Sequence, residues 1–482
     1  MKKILLAATL ALLCLQAAAA PKDKRLNSAG MRYLQSNFKT YDRLQKTLHA
    51  NPELGYLETA SSKLLADELQ KNGFSIEWGV AGIPTAFIAT YGSGSPTIGL
   101  LGEYDALPGM SQDTVTCKKA RCAGAPGHAC GHNLLGTATC ASAIAISKWL
   151  AEGHEGTVKF FGCPAEEGGG GKAYMTREGC FDGCDAIFDW HPGSTNEVPL
   201  SPGLANVRVN FNFTGTPSHA SGTPWKGRSA LDAVEAFDFM MNLMREHVTP
   251  DTRIHYIISN GGQAPNVVPA SASCVYYIRH PKAEEVMNVL QRAVNAAEGA
   301  ALGTGTKMSY EVVNGNYERL INRHLAGMIQ KNLNIVGGLD LDEREKAFAL
   351  EVQRNSPDCK NPEDLSAMLT AVPEPVPPQS GGVSSDVGNV SQVAPLAKLI
   401  VSTNVNAGGS HSWQMTATGG TTIGTKGLLN AAKILYLTAM DLYNSPKDIQ
   451  AIRKEYEEVR GKDFKFVPLM GDRKPPLDYN KK

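Results

Sequence analysis

Three apolar, strand-like runs of the sequence each lead into side chains that bind metal ions well. These are Glu166 and Glu167 after residues 157–162, His191 after residues 186–190, and His411 after residues 398–402 and a glycine-rich loop. The runs alternate with helical patterns, which predicts an α/β fold. Because open α/β sheets carry their sites at the carboxyl ends of the strands, we expect these side chains to meet at one edge of the sheet.

A cysteine and a histidine two residues apart, Cys130 and His132, stand just before a predicted helix over residues 134–150. Taken alone, such a cysteine is more often a small buried residue, and such a histidine is more often only hydrogen-bonded. Together with the carboxylates and the two later histidines, they supply the sulfur, nitrogen and oxygen donors of a transition-metal site. One carboxylate is left over to act as a base.

The adjacent glutamates Glu166 and Glu167 precede four glycines and Lys172. Neighbouring side chains at a strand end point in different directions, so one can bind metal while the other faces the substrate. The glycine run superficially resembles a phosphate-binding loop. It lacks the required glycine spacing and the Ser or Thr after the lysine, so we reject nucleotide binding.

The pattern changes at about residue 204. Strict alternation of Val207, Val209, Phe211 and Phe213 predicts a half-exposed strand. The elements predicted next are a helix at 229–247, strands at 253–259 and 272–279, a helix at 283–302 and a strand at 307–313. This β-α-β-β-α-β order is typical of a ferredoxin-like sandwich, so we expect a second domain, 204–318, inserted between two parts of the first, 21–203 and 319–445.

The two ends of the chain are predicted to lie outside these domains. A basic start, an apolar stretch and a run of alanines indicate a secretory signal peptide over residues 1–20. Its apolar part is too short to span a membrane, so a periplasmic or secreted protein is expected. Residues 446–482 are charged and contain prolines, and we expect them to form a peripheral tail.

Signal-peptide cleavage removes Cys14 from the ten cysteines and leaves nine, an odd number that predicts at least one free thiol. Cys117 with Cys122, and Cys180 with Cys184, are close enough in sequence for local disulfides, and the sequence leaves both pairings open. Basic and acidic residues balance at 47 each, so neither a nucleic-acid nor a membrane-surface partner is expected.

Five segments carry a specific family resemblance. They are residues 101–108 (LGEYDALP), 128–133 (HACGHN), 164–169 (PAEEGG), 190–192 (WHP) and 261–269 (GGQAPNVVP). Together they resemble the amidohydrolase branch of the aminoacylase/carboxypeptidase family of metallopeptidases, over nearly all of the mature chain up to about residue 445. The resemblance implies a metal-dependent amide hydrolase with a catalytic domain of mixed sheet flanked by helices and an inserted dimerisation domain.

The resemblance also implies roles for single residues. Two divalent metal ions, zinc or manganese with cobalt or nickel also open, would be held by Cys130, His132, Glu167, His191 and His411. Glu166 matches the general base, and Asp105 matches an aspartate that orients a ligand histidine, although a capping or loop role for Asp105 stays open. Glu103 stands where other branches have a ligating histidine, so its contact with metal is an open question.

Three residues of the inserted domain are candidate substrate contacts, and two of them match such contacts in related enzymes. His219 matches a histidine that crosses a dimer interface to the reacting carbonyl, and Asn266 matches a substrate contact. Arg279 suits a carboxylate, which its planar fork binds bidentately. The alternatives are a surface histidine and a surface charge. A homodimer, or a heterodimer with a related subunit, is therefore expected.

The motifs do not separate the possible substrates. An N-acyl amino acid, often with an aromatic acyl group, and a dipeptide with a basic residue both fit, because pocket shape decides between them. Rival classes are a non-catalytic exported binding protein and a structural partner in a two-subunit enzyme. The intact Glu166 argues against a binding protein, since binding needs no base.

Overall fold

The computed structural model describes residues 23–379 and 382–481, and the predicted signal peptide lies outside them. Among the helices of these residues, none combines the length and apolar character needed to cross a membrane. The chain folds into a larger lobe made from two stretches of sequence and a smaller lobe inserted between them.

Two sheets form the framework of the described residues. In chain order their strands are β1 (Ser75–Trp78), β2 (Phe87–Ser93), β3 (Thr97–Glu103), β4 (Gly156–Cys163), β5 (Ala186–Gly193), β6 (Ala205–Thr214), β7 (Arg253–Asn260), β8 (Ser271–His280), β9 (Lys307–Asn316) and β10 (Leu396–Ser402). The larger lobe has the order β1-β2-β4-β3-β5-β10, in which β4, β3, β5 and β10 are parallel and β2 is antiparallel to both neighbours. This is the predicted mixed sheet, with four strands ending at one edge.

Helices cover the sheets. In chain order they are α1 (Ala29–Ser36), α2 (Phe38–Ala50), α3 (Thr59–Lys71), α4 (His132–Leu150), α5 (Gly171–Arg177), α6 (Ala230–Met244), α7 (Ala283–Thr304), α8 (Arg323–Val336), α9 (Glu343–Arg354), α10 (Ser366–Leu369), α11 (Val387–Ser391), α12 (Trp413–Gly419), α13 (Thr422–Tyr443) and α14 (Pro446–Arg460). Because α4 is apolar on nearly all sides, it is buried between the sheet and α13. Trp190 on β5 donates its indole N–H to the Leu135 carbonyl oxygen at 3.1 Å and so joins sheet to helix.

The smaller lobe has the predicted β-α-β-β-α-β element order. Its antiparallel sheet runs β7-β8-β6-β9, with α6 and α7 packed on one face. The predicted alternation on β6 is observed, because Val207, Val209, Phe211 and Phe213 are buried and the residues between them are less so. On the opposite face, one end of the sheet lines the cavity described below through Arg253, His255 and Arg279.

The expectation that residues 446–482 form a peripheral tail is wrong. α14 buries Ile452 and Tyr456 against the larger lobe, and farther along Leu469 packs into the core of the smaller lobe. Met470 packs into a second cluster of the larger lobe. The two buried residues of α14 are four positions apart within a highly charged stretch, and the composition of the segment does not show such a narrow apolar stripe on one side of a helix.

The nine cysteines of the described residues are all free thiols, so neither of the two local pairs is bridged. Cys117 and Cys122 are exposed, Cys180 is half-buried and Cys184 is buried. Cys130 is likewise unbridged and buried, which leaves its sulfur available for other chemistry.

Candidate metal centre

The structure brings all five predicted ligand side chains together beyond the ends of β4 and β5. One set of donor atoms, mutually within 4.8 Å, comes from Cys130, His132 and His191, and a second comes from Cys130, Glu167 and His411. The Cys130 sulfur is 3.4 Å from His191 Nε2, and His411 Nε2 is 3.5 Å from Glu167 Oε2. Because Cys130 belongs to both sets, its sulfur lies between two potential ion positions.

A left-handed turn at the start of α4 positions Cys130 and His132. Gly131 between them has a φ of 81°, and a β-carbon there would lie 2.8 Å from Pro192 Cβ. Glycine is the residue that adopts this conformation without strain and leaves room for the proline. The Cys-Gly-His spacing in the sequence thus brings a thiol and an imidazole to the same point beside β5.

Asp105 orients two of the ligand residues. Its Oδ1 accepts a hydrogen bond from His132 Nδ1 at 2.9 Å, and its Oδ2 accepts one from the Glu167 backbone N–H at 2.9 Å. His191 Nδ1 in turn donates to the Pro192 carbonyl oxygen at 2.8 Å. These bonds place a proton on Nδ1 of each ring, which leaves Nε2 of each imidazole facing the cluster as the atom that can bind a cation.

The donor set fits a metal ion. His132 Nε2 and Glu167 Oε1 are buried, and neither has a hydrogen-bond partner among the described residues. Leaving such an atom unpaired costs about 1–3 kcal/mol, and a cation bound to the atom would remove this cost. Burial raises the pKa of the Cys130 thiol to about 12, so a bound cation is needed to make it a thiolate near neutral pH.

Glu166 lies next to the cluster in the turn after β4, and its oxygens reach within 4.8 Å of donor atoms of His132 and Glu167. Ala165 before it has a φ of 58°, an uncommon conformation for a residue with a side chain. Burial, followed by the charges of Glu103 and Asp386, raises the pKa of Glu166 well above its usual range. A carboxyl group with a raised pKa is suited to accept a proton and return it.

A buried ion network behind the cluster was not predicted. The Lys172 ammonium is 2.7 Å from Glu103 Oε1 and 2.6 Å from Asp386 Oδ1, and all three side chains are almost fully buried. Burial opposes the positive charge of Lys172, but Asp386 and Glu103 outweigh it and hold the lysine pKa well above its usual value. The signal in the sequence was a lysine directly after a glycine run, and its partner lies 214 residues away.

This network bears on the open question about Glu103. Its second oxygen, Oε2, is 3.1 Å from His132 Nε2, but no hydrogen bond joins them. Glu103 belongs to neither ligand set, and its other oxygen pairs with Lys172. Burial raises the pKa of Glu103, whereas Lys172 and His132 lower it more, to about 2, so the group is a carboxylate.

A cavity of about 940 Å³ opens in front of the cluster, between the two lobes. Cys130, Glu166 and His191 lie in its wall on the larger lobe, and Arg279 enters from β8 of the smaller lobe. Arg279 Nη1 donates to Ser384 Oγ at 2.9 Å, and the guanidinium lies over the Tyr277 ring at 4.9 Å. The arginine thus bridges the lobes at the cavity wall.

The structure does not bring His219 or Asn266 into this cavity. Both are exposed and lie together on the smaller lobe, where the Ala220 N–H donates to the Asn266 carbonyl oxygen at 3.0 Å. The His219 ring accepts hydrogen bonds from the backbone of its own loop. Neither residue lines the cavity of its own chain.

Comparison with known proteins supports a common ancestry across most of the chain. A model of the peptidase dimerisation domain matches residues 201–304. The chain is 37% identical over 450 residues to a subunit of p-aminobenzoyl-glutamate hydrolase from Escherichia coli (strain K12), covering 88% of this chain and 94% of that protein. It is 30% identical over 428 residues to Xaa-Arg dipeptidase of Mus musculus, covering 86% and 88%.

Solved structures share the fold. A putative aminohydrolase from methicillin-resistant Staphylococcus aureus has a TM-score of 0.64 at 19% identity, covering 85% of this chain and 98% of its own. The YXEP protein of Bacillus subtilis, described as a dinuclear metal-binding peptidase from the M20 family, has a TM-score of 0.55 at 18% identity, covering 84% and 99%. At these identities the likeness establishes the architecture alone.

Proposed function

The chain belongs to the M20 family of metal-dependent peptidases and amidohydrolases, and we propose that it hydrolyses the amide bond of an N-acyl amino acid such as aminobenzoyl-glutamate. The observation that carries this proposal is the meeting of five donor groups around Cys130, with Glu166 beside them in a substrate-sized cavity. A binding protein would need neither the base nor its raised pKa.

Cys130, His132, Glu167, His191 and His411 would hold two divalent cations, which when bound would activate a water molecule and polarise the amide carbonyl. Glu166 accepts the proton of the attacking water and then donates it to the amine as the carbon–nitrogen bond breaks. The products are a carboxylic acid and a free amino acid. Asp105 holds the His132 ring and the Glu167 backbone in position through its two hydrogen bonds.

We further propose that His219 acts in the partner's cavity of a dimer. An exposed histidine far from its own cluster, within the stretch that matches a dimerisation domain, supports this. There it would donate a hydrogen bond to the carbonyl oxygen as negative charge develops, with Asn266 beside it. The partner is a second copy or a related chain, since two relatives in Escherichia coli are named as different subunits of one hydrolase.

A second candidate substrate class comes from the relatives named Xaa-Arg dipeptidase, which match over a similar share of the chain. Dipeptides with a basic residue therefore belong in the same substrate screen.

We also propose that the chain is exported after removal of residues 1–20. Amino-terminal sequencing of the mature protein tests this, and an intact Met1 would contradict it.

The test of the base is Glu166→Ala. Loss of general acid–base catalysis should lower kcat by about 10²–10⁴-fold or more, while elemental analysis shows metal content equal to that of the wild type. Glu178→Ala, an exposed glutamate at the end of α5, is the matched control and should keep full activity. Substantial turnover by Glu166→Ala with its metal retained would rule out the assignment.

A further inference from the structure

The cavity has an acidic and a basic part. Its acidic side chains are Glu103, Glu166 and Glu167, and its basic ones include Arg253, Arg279 and Lys398. Each acidic group is already engaged: Glu103 by Lys172, and the other two in the metal centre and proton transfer proposed above. The basic side chains therefore determine which charges on a substrate the cavity accepts.

Lys398 points into the cavity close to the cluster. It lies on β10 in register with Asp189 of β5, two residues before His191. Because strand side chains alternate, Asp189 and His191 share one face, whereas Phe188 and Trp190 pack into the core on the other. Two residues along a strand span about 7 Å and neighbouring strands lie about 4.8 Å apart, so the Cα atom of Lys398 lies about 8 Å from that of the ligand histidine.

The ammonium of Lys398 is only partly engaged. Its nitrogen is 3.2 Å from Asp189 Oδ2, and the lysine side chain is 19% exposed while that of Asp189 is 2% exposed. An ammonium group has three donors, so donors remain for a ligand in the cavity. Asp189 balances the charge of the lysine when no anion is bound.

Arg279 offers a second anchor across the cavity. Its Nη1 and Nε donate to Ser384 and His255, at 2.9 and 3.3 Å, and Nη2 makes no hydrogen bond among the described residues. A guanidinium and an ammonium on opposite walls of one cavity suit a ligand with two carboxylates.

We propose that Lys398 is a specificity determinant that binds the side-chain carboxylate of an acidic amino acid, with Arg279 on the α-carboxylate. This inference rests on the proposed function and narrows it to N-acyl glutamates and N-acyl aspartates. A basic side chain in the same place would meet the charge of Lys398, which disfavours the arginine-containing dipeptides.

The experiment compares kcat/KM for N-benzoyl-glutamate and N-benzoyl-glutamine, which differ in one charge and hardly in shape. The metal-loaded wild type should prefer the glutamate by about 10- to 100-fold, the effect of one charge-assisted hydrogen bond. In Lys398→Met the ratio should fall to about one, chiefly through KM. Lys398→Arg should restore part of the preference.

Loss of Lys398 leaves the Asp189 carboxylate buried without its partner. The ratio of kcat/KM for the two substrates is therefore also measured in Asp189→Asn/Lys398→Met, in which the charge of Asp189 is removed as well. Lys159→Met, on β4 of the same sheet and outside the cavity lining, is the control and should keep the wild-type ratio. A wild type active on both substrates without preference, or a double variant that keeps the preference, would overturn this inference alone. A wild type active on no acylated amino acid would overturn the proposed function with it.

Discussion

Replacing Lys172 by methionine should destabilise the larger lobe strongly. The substitution keeps most of the length of the side chain but leaves the carboxylates of Glu103 and Asp386 buried without their shared cation. At an effective dielectric constant of about 20, two unit charges 2.7 Å apart attract by about 6 kcal/mol. The desolvation cost of the ammonium disappears with it, so the expected net loss is smaller, about 3–5 kcal/mol of unfolding free energy.

The assay is urea unfolding followed by tryptophan fluorescence, in which the fully buried Trp190 reports on the sheet of the larger lobe. A chelator is present throughout, because metal binding to the native state would add to the measured stability. The matched control is Lys63→Met, which breaks a pair with Asp67 at the same 2.7 Å, but with both side chains more than half exposed. That loss should be about 0–1 kcal/mol.

A double variant separates charge from packing. Glu103→Gln in the Lys172→Met background removes one of the two stranded carboxylates, and should recover part of the lost stability. If the unfolding free energy of Lys172→Met lies within about 1 kcal/mol of that of the wild type, the buried ion network does not stabilise the fold.

Three further predictions concern pH, metal and assembly. Burial, together with the charge of Asp105, raises the pKa of Glu58 from 4.5 to about 8. Between these two pH values the folded protein keeps a proton that the unfolded chain loses, so the stability of the fold falls as the pH rises from about 4.5 to 8. In urea unfolding, the free energy of unfolding of Glu58→Gln should increase relative to that of the wild type between pH 5 and pH 8. A difference that does not change with pH would contradict the raised pKa. Chelation should abolish hydrolysis and zinc or manganese should restore it, whereas Cys130→Ser should bind less metal by elemental analysis; unchanged metal content would remove Cys130 from the centre. Mixing His219→Ala chains with Glu166→Ala chains should recover activity in heterodimers, and no recovery would count against the cross-subunit role.

The fold was largely predictable because its signals are local. The alternation on β6 and the apolar character of α4 are visible in a single segment, and the ligand residues lie just beyond strands that the pattern predicts. β1, the exposed strand Ser75–Trp78, was not predicted because it carries no alternation.

The ion network could not be predicted because it depends on distance in the folded chain. Lys172 and Asp386 are 214 residues apart, and each alone is typical of a solvated loop. The same holds for Leu469, which enters a core formed by residues more than 150 positions earlier. Local pattern cannot reveal a pairing whose partners belong to different segments, whereas a resemblance that covers both segments can.

We have proposed that two cations would be held by side chains from both halves of the larger lobe, with Cys130 in the donor set of each. Anomalous diffraction at the absorption edge of the metal, from crystals of the loaded protein, tests it most directly. We predict two peaks, one next to His191 and one next to His411, with Cys130 beside both. A disulfide at Cys130, or a His411 that contacts no peak, would contradict it.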